Sequence, residues 1–79
     1  MNIDSLLVAE ELKSLRIKRG KTIEEVSNNL GVHFNTLSKY EKDSADMKLG
    51  LLIKLLNYYD VDEIIFFKVI REYNHKNNS

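Results

Sequence analysis

The chain has no cysteine, no proline and no tryptophan, and only three glycines in 79 residues. Without thiols there is neither a disulfide nor a Cys-ligated metal, which suits a reducing compartment. Without proline nothing forces a helix to kink, and helix ends must come from glycine or from polar caps. No stretch approaches the roughly 20 apolar residues that cross a bilayer. The start, MNIDSLLVAEEL, lacks the basic and apolar regions of a secretion signal. A cytoplasmic protein with no membrane contact is expected. His33 and His75 are far apart in the chain, and no glycine-rich phosphate loop or linked nucleophile set is present, so no metal, no cofactor and no catalysis are expected. Neither sign of charge is in excess: twelve Lys and Arg face twelve Asp and Glu.

What is there is helical patterning in a length that allows one domain with a single core. Five helices are predicted. The first runs from about Asp4 to Arg19 with Val8, Leu12 and Leu15 inward. The fourth covers about Leu49 to Tyr59 and buries Leu49, Leu52, Ile53 and Leu56. Asp60-Val61-Asp62 then breaks and recaps the chain, and the fifth runs from Glu63 to about Tyr73. Residues 1–73 are read as one domain and 74–79 as a polar, disordered tail.

The most informative stretch is Thr22 to Lys42, TIEEVSNNLGVHFNTLSKYEK. Thr22 with Glu25 three residues later is a capping box. Ile23, Val26 and Leu30 then form a one-sided apolar stripe that stops at Gly31, a residue free to take positive φ after a helix. Beyond Val32, Leu37 and Tyr40 point one way and leave Asn35, Thr36, Ser38, Lys39 and Lys42 for the other faces. Two short helices joined by a tight turn, the second with a hydrogen-bonding surface, make a helix-turn-helix.

On these residues the chain resembles the Cro/CI-type (XRE-like) helix-turn-helix domains of phage repressors and bacterial regulators, from about Val8 to Phe67. The resemblance is carried by Leu12-x-x-Leu15-Arg16-x-x-x-Gly20, by Leu30-Gly31-Val32, and by Leu37-Ser38-x-Tyr40-Glu41, with support from Leu51-Leu52-Ile53-Lys54-Leu55 and Tyr59-Asp60-Val61-Asp62. It implies an all-α, five-helix, lambda-repressor-like fold with the motif at helices two and three. It also implies a homodimer on double-stranded DNA that regulates transcription, most simply as a repressor on a palindromic operator. Four positions depart from the family's usual residues. Ile23 stands where Gln is common, His33 where Ser or Thr caps the recognition helix, Phe34 where a polar base-reading residue is common, and Asp43 where many members have Gly. Asp tolerates the left-handed conformation such a Gly would adopt.

Under this resemblance Asn35 and Lys39 are the base-reading candidates, because Asn can bond adenine N6 and N7 and Lys can donate to guanine O6 and N7. Phe34 has three open places: in the core, against a thymine methyl, or as an anchor for a regulatory protein partner. Thr22, Thr36, Ser38, Lys42, Ser44 and Lys48 are candidate contacts to the DNA backbone, which position without specifying sequence. Arg16 and Glu41 are read as a structural ion pair, with a phosphate contact as the other reading of Arg16. A balanced total charge can still hide a basic face: Arg16, Lys18, Arg19 and Lys21 cluster before the motif. Helix five carries more apolar surface than one stripe needs. Either it dimerises, with Ile65, Phe67 and Val69 in the seam, or the first helix covers it through Ile3, Leu6 and Leu7. The competing function is a protein-binding module of the same fold with little DNA affinity.

Overall fold

The computed structural model describes residues 4–77 as five α-helices: α1 Ser5–Lys18, α2 Ile23–Leu30, α3 Phe34–Tyr40, α4 Leu49–Tyr58 and α5 Glu63–Asn77. No strand occurs among these residues. Local chemistry starts most of the helices. The Asp4 carboxylate accepts from the N–H groups of Leu6 and Leu7 and opens α1. Thr22 and Glu25 close the capping box of α2 in both directions. Asp62 accepts from Ile64 and Ile65 and opens α5.

The helix ends use left-handed residues at three places. Gly20 and Gly31 both have φ of 67°, the region where glycine escapes the Cβ clash that other residues meet. The third is Asp60, at φ 59°, which reverses the chain between α4 and α5. Asp43 is not left-handed, contrary to expectation. Instead, α3 ends in a right-handed turn in which the N–H groups of Lys42 and Asp43 both donate to Lys39 O at 3.0 Å.

One apolar core joins all five helices. It contains Val8 and Leu12 of α1, Val26 of α2, Leu37 of α3, Leu52, Leu55 and Leu56 of α4 with Tyr59 at its end, and Phe66 and Ile70 of α5. Leu15 and Ile23 pack against its edge, so the apolar residue at position 23 serves the core. Leu49 does not: it is 67% exposed. The inward set of α4 is Leu52, Leu55, Leu56 and Tyr59, about 60° around the helix from the expected face, while Ile53 is half-buried. Helix α5 runs four residues beyond Tyr73, into the segment read as a tail.

Ties between distant residues hold the helices in register. Arg19 Nε donates to Tyr59 O at 2.8 Å, a basic side chain closing the carbonyl end of α4. Asn29 Nδ2 donates to the Tyr58 hydroxyl at 2.8 Å and joins α2 to α4. Ser44 folds back on α1, donating to Ser5 O from its N–H at 3.3 Å and from Oγ at 2.8 Å.

Tyr59 has a cost built into it. Its side chain is 1% exposed and its hydroxyl has no hydrogen-bond partner among the described residues. Burial, with Glu41 adding, pushes its ionisation well above the ordinary tyrosine range. A neutral phenol is thus favoured in the folded state. That contribution is intact below about pH 10, where free tyrosine titrates, and fades at higher pH as the unfolded chain ionises. Tyr59→Phe removes an unpaired hydroxyl, worth about 1 kcal/mol or more. The variant should melt several degrees higher than the native chain, and its melting temperature should fall less between neutral pH and about pH 11. Calorimetry across that range checks both; a lower melting temperature for the variant at neutral pH would contradict them.

Candidate nucleic-acid interface

Helix α3 is positioned by one ion pair. Arg16 spreads its guanidinium over two partners: Nε and the NH2 nitrogen meet the Glu41 carboxylate at 2.8 and 3.0 Å, and the NH1 nitrogen donates to Lys21 O at 2.8 Å. The two side chains are only 12% and 5% exposed, so Arg16 is closed off from phosphate. Glu41 holds the guanidinium still further into its charged range. A carboxylate at the C-terminal end of a helix opposes the helix dipole. Here the bidentate arginine compensates it, and the end of α3 is fixed against α1 and the α1–α2 loop. Glu41→Ala leaves a largely buried Arg unpaired, at a cost of about 3 kcal/mol or more. A large drop in melting temperature is expected, and an unchanged melting curve would deny the pair its structural role.

With Leu37 buried beneath it, α3 turns a polar face outward. At about 100° per residue, Asn35 and Lys39 fall within about 40° of one another; both are exposed, as is Lys42 in the turn that follows the helix. Thr36 and Ser38 flank them and are half-buried. Phe34 sits at the helix start and is 47% exposed, which removes the core from its possible places. The His33 imidazole, unlike a family hydroxyl, still caps the helix: Nδ1 accepts from Asn35 N at 3.2 Å.

The remaining polar candidates divide by what their donors already do. The Thr22 hydroxyl both accepts from Glu25 N, at 3.1 Å, and donates to its carboxylate, at 3.3 Å. The Ser44 hydroxyl is directed to Ser5 O. A hydroxyl has one proton to give, so both residues serve the scaffold before any phosphate. Lys42 and Lys48 are exposed, and Lys48 is the residue from which α4 starts. The basic cluster ahead of the motif is thinner than it reads: Arg16 is consumed, Arg19 is tied to α4, and Lys21 is half-buried. Lys18 is exposed.

The loop after α3 supplies a residue that no sequence pattern singles out. Asp46 Oδ2 lies 3.7 Å from Lys39 Nζ, and the Tyr40 hydroxyl donates to Asp46 O at 3.4 Å. Beside it, the N–H of Ala45 and then the Ser5 hydroxyl draw the Asp43 carboxyl below the usual carboxylate range. Two acidic side chains therefore stand at the C-terminal end of the outward face. The signal missing from the sequence was a loop closure, not a residue type.

On α5 the three expected seam residues are not on one side. Ile65 is 60% exposed and Val69 half-buried on a flank shared with Tyr73, which is 53% exposed. Phe67 lies about 160° or more around the helix from both; it packs on the core and lines a hollow with Val8, Met47, Leu49 and Leu52. Helix α1 covers part of the Ile70 and Tyr73 side through Leu7, while Leu6 is 57% exposed. Ile3 lies outside the described residues. No helix among the described residues is long and apolar enough to cross a membrane.

Comparison with known proteins agrees with this geometry. A family model described as helix-turn-helix (HTH_3) matches residues 12–66. The cryptic phage CTXphi transcriptional repressor RstR of Vibrio cholerae is 36% identical over 55 residues, 70% of this chain and 50% of its own. The HTH-type transcriptional regulator ImmR of Bacillus subtilis (strain 168) is 39% identical over 54 residues, 68% of this chain and 42% of its own. The SPbeta prophage-derived uncharacterized HTH-type transcriptional regulator YopO of the same strain is 35% identical over 60 residues, 73% of this chain and 86% of its own. The chain thus spans half or less of the length of the first two relatives. No solved structure matches it significantly. Matched over most of its length and carrying the capped α2–turn–α3 unit, the chain belongs to the XRE-type helix-turn-helix family.

Proposed function

We propose that this domain is a sequence-specific DNA-binding transcriptional regulator, a repressor that acts as a homodimer on a palindromic operator. The observation that carries the reading is the outward face of α3: Asn35 and Lys39, exposed one turn apart on a helix whose end is locked by a largely buried ion pair. Laid in the major groove, such a helix presents an amide suited to adenine and an ammonium suited to guanine. Phe34, at the leading end, contributes an apolar contact to a thymine methyl. Lys42, Lys48, Thr36 and Ser38 meet phosphates and fix the register. Occlusion of a promoter is the simplest route from binding to repression, and the names of RstR and ImmR support a regulatory role. Such a protein works in the cytoplasm.

In this reading two copies place their recognition helices in successive major grooves, about 34 Å apart. The exposed flank of α5, with Ile65, Val69 and Tyr73, is the surface assigned to the seam, and Phe67 supports it from the core side.

A protein-binding module is the second reading. The half-exposed Phe34 and the balance of twelve basic and twelve acidic residues favour it, because an exposed aromatic is a common interface anchor.

Selection of bound sequences from a random duplex pool at moderate salt separates the two readings. The native chain is expected to enrich a palindrome, and Asn35→Ala/Lys39→Ala to lose or relax it. A native chain that stays folded yet enriches nothing would favour the protein partner. For the seam, Ile65→Glu is expected to sediment as a folded monomer where the native chain sediments as a dimer. A native monomer, or a variant that remains dimeric, would remove α5 from the assembly.

A further inference from the structure

We propose that Asp46 determines DNA selectivity by holding Lys39 in an ion pair for which a DNA duplex must compete. The inference rests on α3 being the DNA-reading helix. It goes further by assigning a role to an acidic residue outside that helix.

The geometry starts at Lys39, whose side chain is 65% exposed and whose ammonium lies 3.7 Å from Asp46 Oδ2. The Tyr40 ring centroid is 6.0 Å away on another side. An exposed ion pair between two flexible side chains adds little to stability, because ordering both offsets the attraction. Asp46, however, is not on a loose segment. Its carbonyl accepts from the Tyr40 hydroxyl, so its backbone is tied to α3 itself. Upstream, Ser44 is fastened to Ser5 O from both its N–H and its hydroxyl, and Met47 N donates to Ser44 O at 3.0 Å. Between them Ala45 N donates to Asp43 Oδ1 at 2.9 Å. A loop built this way keeps one carboxylate next to Lys39 and a second, that of Asp43, close enough to act on it electrostatically.

The consequence lies in the comparison between wrong and right DNA. Any duplex offers phosphates, and an unshielded lysine is drawn to them whatever the sequence. With Asp46 beside it, Lys39 arrives with a carboxylate already within 3.7 Å of its ammonium, and the same carboxylate repels the DNA backbone. Only a duplex that offers Lys39 a well-aligned acceptor pair, as guanine O6 and N7 do, replaces what the ion pair supplied. Selectivity is then gained by weakening the wrong complex more than the right one. Asp46 is a positioning residue here: it acts through Lys39 and need not touch a base.

Binding of native chain, Asp46→Asn, Lys39→Ala and the double variant to a mixed-sequence duplex and to the palindrome recovered by selection, over a salt series, tests this. Asp46→Asn should bind the mixed-sequence duplex about threefold to tenfold more tightly. It should gain less on the palindrome, so the selectivity ratio falls. The slope of log K against log salt should steepen by about one unit on the mixed-sequence duplex. In the Lys39→Ala background the same change should shrink to less than about twofold. Unchanged binding by a folded Asp46→Asn would overturn the inference, and so would an equal gain in both backgrounds, which would make Asp46 a bulk charge. A native chain that binds neither duplex ends this inference together with the function it rests on, whereas native binding with no Asp46 effect ends this inference alone.

Discussion

Everything on the outward face of α3 depends on where Arg16 puts its guanidinium. A seven-residue helix has less than two full turns of its own hydrogen bonds and is unstable in isolation. Its direction is set from outside, at one end by Glu41 and beneath by Leu37, which is 1% exposed. The bidentate contact is directional, so it fixes the rotation of α3 about its axis as well as its position. A rotation of one residue step would carry Asn35 and Lys39 off the outward face and bring Thr36 and Tyr40 toward it. A polar, low-dielectric contact thus does what apolar packing alone does poorly, since a short apolar face tolerates small rotations at little cost.

The balance of total charge does not describe the face of α3. Arg16 and Arg19 are spent inside the scaffold, and Lys39 faces Asp46. Among the named candidates, Lys42 and Lys48 remain on the surface and form no ion pair among the described residues. Thr22 and Ser44, which a family reading hands to phosphate, use their hydroxyls to start α2 and to fasten the α3–α4 loop to α1. The sequence-independent part of DNA attraction scales with the number of phosphates neutralised. In the proposed reading, sequence discrimination comes from the polar face of α3, where Asn35 and Lys39 are exposed.

Much of the fold was legible because its signals are local. The Thr22–Glu25 box, the Asp62 cap and the Gly31 turn each join residues at most a few positions apart, and each is a consequence of backbone groups that a helix end leaves unpaired. Arg16–Glu41 spans 25 positions, and it was readable only through resemblance. Where the pattern was ambiguous the reading slipped. Leu51-Leu52-Ile53-Lys54-Leu55-Leu56 is apolar on nearly every side, so periodicity could not choose between a register that buries Leu49 and one that buries Leu55. Asp43 is not left-handed, because α3 closes with two bonds to Lys39 O and needs no reversal. Asp46 was invisible for a related reason. Its meeting with Lys39 depends on a loop whose shape is set by Ser44 reaching Ser5, 39 positions away.

The narrow reading face of α3 bears on assembly in the proposed reading. In the proposed reading a single copy reads DNA with one seven-residue helix, whose Lys39 is paired with Asp46. Joining two copies converts the second encounter into an intramolecular one, and occupancy can rise by orders of magnitude with no new contact to DNA. The gain goes to sites where both half-sites match, because a mismatched half loses its α3 contacts while keeping only the phosphate term. A balanced net charge and a shielded lysine are therefore compatible with operator binding, provided the copies associate. The exposed Ile65 and Tyr73 on one flank of α5 form an apolar surface that suits the proposed seam, and they lie on the helix that the core holds through Phe66 and Ile70. Selectivity at α3 and association at α5 are then two halves of one requirement.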